Sequence, residues 1–482
     1  MFRFIFYKEL QENIKNFRFI IALILCLTII PLGFYVNYKD FQAKQKSYEE
    51  SIKLYEGSHK TIIDTQRQGG AAFRPPSPLS ILSSGIEFLL PNSIESVGFL
   101  TEMGAQTQFN NDRSLDNPYS FLYGYLDLSF IVSVIISVLA MLMTYNSVAG
   151  EKERRTLGQI LSNAVPRNTV ILAKMSSSFL LMAVLFLLGI LIGIFILILQ
   201  GFEIFSPGLF SRFFLGVGFS LLYIFTFLNF GLLVSSLNKN AISSIVSLMF
   251  FWVLLFMILP KGSVILSKII KPVKSQQVID LEKNQIRQQI EKEEWEDIQK
   301  LRETMPGIKE MSFKEFFKKL KEGDEKAKEY AKEQNEKREF YKIKLEKELN
   351  KVDSYYDNER SLQAAIAQNI SRLSPVSCFI HLMAETSNAG FLEYEQWKKT
   401  RSLFKQLLDT EICSKDAWTS FGNTTVGGWN VDRNAPLPKL EYQPVSLHRI
   451  MTKALPDFLL LILYGVLFFA GSYVVFLRYD VR

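Results

Sequence analysis

The densest cluster of ionisable side chains beside apolar sequence is Glu151-Lys152-Glu153-Arg154-Arg155. Acids and bases alternate there without a histidine, cysteine or nucleophilic serine among them. The chemistry open to such a run is ionic docking and hydrogen bonding rather than bond making. Other motifs that would carry catalysis are missing. No G-x-x-x-x-G-K-[ST] cradles a phosphate, and no H-E-x-x-H or G-x-S-x-G occurs. The chain has three histidines; His381 shares a helix face with Glu385 in HLMAE but lacks a second histidine, so it reads as structural. Of the three cysteines, Cys26 lies in an apolar run, and no C-x-x-C spacing exists to suggest a metal or redox site. Cys378 and Cys413 stand in polar sequence and could form a disulfide in an oxidising compartment or remain two thiols.

The charge run must be placed by what flanks it. Leu157, Ile160 and Leu161 follow at helical spacing, Pro166 closes that piece, and long apolar segments lie on both sides. Forty phenylalanines in 482 residues fit helices in contact with lipid. Apolar runs predict six transmembrane helices at 17–36, 122–145, 176–199, 213–237, 241–259 and 457–477. Residues 1–16 read as an interfacial helix, with Phe2, Ile5, Phe6, Leu10, Ile14 and Phe17 at i, i+3/i+4 spacing. The charged start and apolar run mimic a signal peptide, but no cleavage site follows, so 17–36 is expected to be a retained anchor.

The spans separate two outer regions from small inner ones. Residues 37–121 are expected to be an extracytoplasmic segment, whose stretch from Leu79 to Leu90 packs on the membrane surface or the other outer domain. Residues 260–455 are expected to be a largely helical extracytoplasmic domain. There, Ser312 with Glu315 makes a capping box, and a helical pattern from Gly323 to Leu373 is expected to kink or fold back. The remaining pieces, 146–175 and 478–482, lie inside. Lys and Arg concentrate in the inner pieces, as the positive-inside asymmetry requires, so both termini are expected in the cytoplasm and the chain in the cell (inner) membrane. The net charge of +7 arises without a basic stripe interleaved with aromatics, which argues against nucleic acid. Spans three to five carry no ionisable residue in their interiors, which disfavours an ion-coupled pump. Energy for any work should enter from a partner.

The segment VAGEKERRTLGQILSNAVPRNTVILAK resembles the cytoplasmic signature of ABC-2 type transporter permeases, with E-x-E-x-G-T-L, L-L-S, P-V-S-R and a distal lysine. The matching positions are Glu151, Glu153, Thr156, Leu157, Leu161, Ser162, Pro166, Arg167 and Lys174; Arg155 stands where the family often has glycine. The opening FYKELQENIKNFRFI resembles the family's interfacial elbow helix with its Lys8-Glu9 pair. RPPSPLSILSSG, SRLSPVSCF and the ending FLRYDVR resemble a subgroup with a large insertion between spans five and six, similar to copper-enzyme-maturation and gliding-motility permeases.

The resemblance implies an all-α membrane protein of the ABC-2, type V exporter-like kind, without catalysis of its own. It implies a separate ABC ATPase, two copies per complex, which binds ATP and Mg; this chain would carry no cofactor. A second permease half, as homodimer or related paralogue, would complete the pathway, and an extracytoplasmic protein partner is open. The coupling residues would be Glu151, Lys152, Glu153, Arg154, Arg155, Thr156, Leu157, Leu161, Pro166 and Arg167, with no metal site. The alternative is an ATP-driven mechanical or scaffold protein that moves its outer domain without transport.

Overall fold

The computed structural model describes residues 2–58, 71–87, 90, 93–95, 126–162, 166–305, 307–407 and 442–479. These are helical apart from short loops, 3-10 and π-helical turns, and one antiparallel strand pair, Ala71–Phe73 with Ser93–Glu95. Six helices are long and apolar enough to cross a membrane. The chain divides into two compact units, one containing residues 1–260, 372–417 and 429–482, the other 261–371 and 418–428.

The first unit opens with α1 (Phe2–Ile14) and the first span, α2 (Phe17–Ser58). The second span, α3 (128–144), is followed by two short helices, α4 (Ala149–Glu153) and α5 (Thr156–Ser162). Spans three, four and five are α6 (Arg167–Leu199), α7 (Pro207–Leu237) and α8 (Ala241–Ile270). Every span except α3 outruns its apolar run; α3 instead starts at Leu128, capped by Asp127, inside the expected 122–145. Helix α2, for example, continues twenty-odd residues past Val36 because KDFQAKQKSYEE is as good a helix former as the span. Apolar length reports the solvent, whereas backbone helicity continues until a breaker intervenes.

The core of this unit runs through the bundle and is rich in aromatics, with Phe34, Phe186, Tyr223, Phe227 and Phe379 among its fully buried side chains. Helix α7 is its axis, packed on α3, α6 and the sixth span, α14 (Leu447–Leu477). Two spans contain π-helical stretches, Ile131–Ile136 in α3 and Leu254–Ile258 in α8. Each loosens an i→i−4 bond, and other groups satisfy the backbone there. Tyr223 Oη donates to the Ser133 carbonyl at 3.1 Å, and Ser374 Oγ to the Leu255 carbonyl at 2.6 Å.

At the end of the bundle away from α1, Leu79, Ile81 and Leu82 are buried in the core, Leu82 against Gly216 of α7. Of the two expected placements, the membrane surface is thereby corrected, whereas packing on the 260–455 region is seen: Ser77 Oγ donates to the Ser387 carbonyl and Ile86 N to the Ala389 carbonyl. Pro78 starts a 3-10 turn capped by Ser77, and the turn feeds its apolar side chains inward. Asp127 caps α3 through Phe130 N and also accepts from Ser84 N. Helix α12 (Pro375–Thr386) enters the same core, with Phe379 stacked on Tyr223 at 4.4 Å between centroids. His381 Nδ1 lies 3.3 Å from Asp457 Oδ1, and Arg372 holds both oxygens of that carboxylate at 2.8 and 2.9 Å. Glu385 instead accepts from Phe391 N and Leu392 N at the start of α13 (Phe391–Leu407). His381 and Glu385 thus serve different partners. Burial pushes the Glu385 and Glu393 carboxyls above the usual glutamate range, against the backbone N–H groups holding Glu385 and the Tyr442 hydroxyl on Glu393.

The second unit is a helical hairpin of α9 (Gln276–Thr304) and α11 (Glu325–Ser371), joined through α10 (Phe313–Glu322). The capping box at Ser312 forms as expected, and Gly323 closes α10 in the left-handed conformation. Helix α11 runs unbroken for 47 residues, about 70 Å, which corrects the expected kink. The fold-back lies between α9 and α11. Asp297 with Lys337 and Tyr341, Glu282 with Tyr356, and Lys283 with Asp353 tie the two along their length.

Candidate functional site at the shared end of the spans

Helix α1, the α4–α5 pair and the end of α14 meet at one end of the bundle. Val148, Leu157, Val170, Ile171, Leu232 and Phe476 form a separate apolar cluster there, with Ile5 and Tyr479 packed on it. Leu157 is therefore the apolar peg that seats α5. The charge run and the apolar positions after it fall on two short helices, split at Arg154-Arg155, with Arg155 at φ +59°. A side chain with a Cβ is disfavoured in this left-handed region, which suits glycine. Pro166 precedes α6 as that helix's N-cap, where its missing N–H costs nothing.

Some of the charged residues here turn inward, while Glu153, Arg154 and Arg155 are exposed. Lys174 of α6 is 2% exposed, and its Nζ donates to Glu9 Oε1 at 2.9 Å and Glu151 Oε1 at 2.6 Å. One ammonium thus joins α1, α4 and α6. Lys8, more exposed, adds a second cation 3.9 Å from Glu9 and also pairs with Glu12. Two buried carboxylates against one buried ammonium hold together only while all three are present, because each desolvated charge relies on the others.

The neighbouring residues grip the remaining spans. Lys152 donates to the Ser236 carbonyl and, at 3.2 Å, to that of Asn238 at the end of α7, with its ammonium over the Tyr479 ring. Glu153 accepts from Ala241 N at the start of α8, at 3.0 Å. Val148 N and Ala149 N both donate to Ser235 Oγ. Arg167 donates to the Leu477 and Tyr479 carbonyls at 2.7 and 2.9 Å, closing the last turn of α14. Basic side chains on C-terminal carbonyls and an acid on an N-terminal N–H match the helix dipoles. Arg18 of α2 lies over the Tyr145 ring at the end of α3.

The predicted site residues therefore divide. Glu151, Lys152, Glu153 and Arg167, with Lys8 and Glu9, are engaged within the chain. Thr156 Oγ1 reaches the Glu151 carbonyl at 3.4 Å, and Leu157 is buried. Arg154, Arg155 and Pro166 are exposed; the Arg154 Nε–H turns back to the Gly150 carbonyl. Leu161 falls within α5, but its side chain is outside the described residues. Cys378 is a buried thiol, its Sγ 3.6 Å from the Arg372 carbonyl, and Cys413 lies outside the described residues. Lys174 was placed by the motif without a role. Its position on the buried stripe Val170, Ile171, Ala173, Lys174, Ser177 and Ser178 is the signal that marks it as interior.

The arrangement is a frame: one short segment bonds to α6, α7 and α8, and α6 extends it through Lys174 to α1 and through Arg167 to α14. Among the described residues no group of three metal-ligating side chains gathers. The frame joins helices that, among the described residues, include six long and apolar enough to cross a membrane, which makes this a multi-pass membrane protein. A family model, ABC-2 family transporter protein, matches residues 3–481, and the chain belongs to that family. It is a multi-pass membrane protein and a permease component of an ABC transporter; permeases of this family are generally non-catalytic membrane subunits that work with an ABC ATPase. No curated protein matches the chain.

Proposed function

We propose that this chain is the permease subunit of an ABC exporter and that the segment 149–167 couples it to a separate ATPase subunit. The observation that carries the reading is the frame itself. Glu151, Lys152 and Glu153 bind α6, α7 and α8 respectively, so a displacement of α4 is delivered to three spans; α6 carries it on through Lys174 to Glu9 of α1 and through Arg167 to the end of α14. In this reading both termini face the cytoplasm of an inner membrane and two permease halves pair. ATP and Mg bind in the two ATPase copies, and the present chain holds no cofactor. The residues left to meet the ATPase are Arg154 and Arg155 at the exposed break between α4 and α5. Charge reversal of both should abolish stimulated ATP hydrolysis in the purified permease–ATPase complex while the permease inserts and melts normally. Undiminished stimulation would remove the segment from the coupling route.

A second reading has its own support. The 29- and 47-residue helices of the outer unit are pinned to each other by ion pairs, which makes a stiff rod suited to carrying force without cargo. Solute movement in reconstituted vesicles discriminates: ATP-dependent motion of the rod with no solute crossing would favour this alternative.

A further inference from the structure

Asn229 lies within α7, eight residues short of its end, and is fully buried. Among the described residues, neither its Oδ1 nor its Nδ2 has a hydrogen-bond partner. Helical asparagines elsewhere in the chain show what an amide does when nothing prevents it. Asn37 Nδ2 donates to the carbonyl four residues back at 2.7 Å, and Asn238 Nδ2, at the end of α7, does the same at 2.8 Å. The hydroxyls of α7 follow the rule as well, Ser220 to Gly216, Thr226 to Leu222 and Ser236 to Leu232. Asn229 makes no such bond. A buried amide with both halves unsatisfied is costly anywhere, and more so at membrane depth where no water competes for it. Its presence points to a state of the protein in which it is bonded.

The surroundings suit such a state. Side-chain hydrogen bonds from α7 to other spans occur at Tyr223 and Thr226, and are next made at Ser235. Between them the contacts are apolar or small. A Cβ on Gly231 would stand 2.0 Å from Thr144 Oγ1 of α3, and one on Gly465 of α14 would stand 3.2 Å from Thr226 Oγ1. These are close seams that can part without breaking ion pairs. Phe227 and Phe230 lie two residues before and one residue after Asn229, and the one Asp, Glu, Lys, Arg or His in α7, Arg212, lies four turns or more away toward the other end.

We propose that Asn229 is the polar contact of the transport path, bonding cargo when α7 parts from its neighbours. The amide offers a donor and an acceptor in an uncharged, aromatic-rich setting. It would therefore take an apolar molecule carrying a neutral hydroxyl or amide group. This rests on the exporter reading above.

The test uses the full chain in cells, with Cys26, Cys378 and Cys413 replaced, and N-ethylmaleimide as the probe. Asn229→Cys should react several-fold faster in energised than in energy-depleted cells, while Leu228→Cys stays slow in both. A rate at Asn229→Cys that ignores energy, while Ser133→Cys responds, overturns the proposal and leaves the exporter reading standing. No response at any position overturns both. Independently, Asn229→Leu should raise the melting temperature of the purified chain, because it removes an unsatisfied amide from the closed state. Asn238→Leu should lower it. A fall with Asn229→Leu would mean that the amide is already satisfied, and would overturn the proposal.

Discussion

Replacing Lys174 with methionine removes the one buried cation of the Glu9–Lys174–Glu151 group while nearly preserving side-chain volume. Both carboxylates then remain desolvated. Glu9 keeps only the more exposed Lys8 at 3.9 Å, and Glu151 keeps no cation within ion-pair distance among the described residues. Breaking a buried pair from one side costs about 3–5 kcal/mol, and here two acids lose their partner at once, so the upper part of that range is expected. Glu151→Gln should cost less, about 1–2 kcal/mol, because Lys174 retains Glu9 and an amide oxygen can still accept. The triple variant Lys174→Met, Glu9→Gln, Glu151→Gln has no orphaned charge and should recover most of the loss. Melting curves of the purified chain in nanodiscs read all three variants. If Lys174→Met shifts stability by less than about 1 kcal/mol, or the triple variant is no better than the single, the group is not acting as a desolvated unit.

Arg155→Gly should stabilise the α4–α5 break by about 1 kcal/mol, since glycine adopts φ +59° without the Cβ clash, whereas Arg155→Ala should not; the same melts distinguish them. Glu385 and Glu393 are held above the usual glutamate range by burial, so the folded chain binds their protons more tightly than the unfolded chain does. Their contribution to stability is therefore complete below the ordinary glutamate value and is lost as pH rises through the raised one. Melting temperature should fall across that window, and Glu385→Gln with Glu393→Gln should flatten the slope.

The six spans were legible because runs such as Ser176 to Leu199 have no other stable home. Their true ends were not, because Lys39 to Ser58 continue α2 on helix propensity, which hydropathy does not sense. The 146–175 segment was legible as the feature that matters, but its charges were read as outward. Lys152 and Arg167 look like flanking cations of the positive-inside kind. Only tertiary structure brings the last carbonyls of α7 and α14, distant in sequence, under them. Lys174 was hidden for a related reason: one lysine at the start of an apolar run reads as a flank, and its two carboxylates lie 165 and 23 residues away. Asn229 is not legible in the sequence because a single neutral amide neither carries charge nor breaks the apolar run around it.

The π-helical stretches in α3 and α8 have a consequence for how these spans tolerate change. Each stretch accommodates extra backbone without lengthening the helix in proportion, so the face presented to the bundle slips in phase by about 100° across it. A substitution scan along α8 should therefore show two sensitive stripes that do not line up, one in Ala241–Val253 before Leu254–Ile258 and one in Leu259–Ile270 after it. Deleting a single residue inside that stretch would bring the stripes into register as an uninterrupted α-helix, while turning one half of the span away from the partners it now contacts.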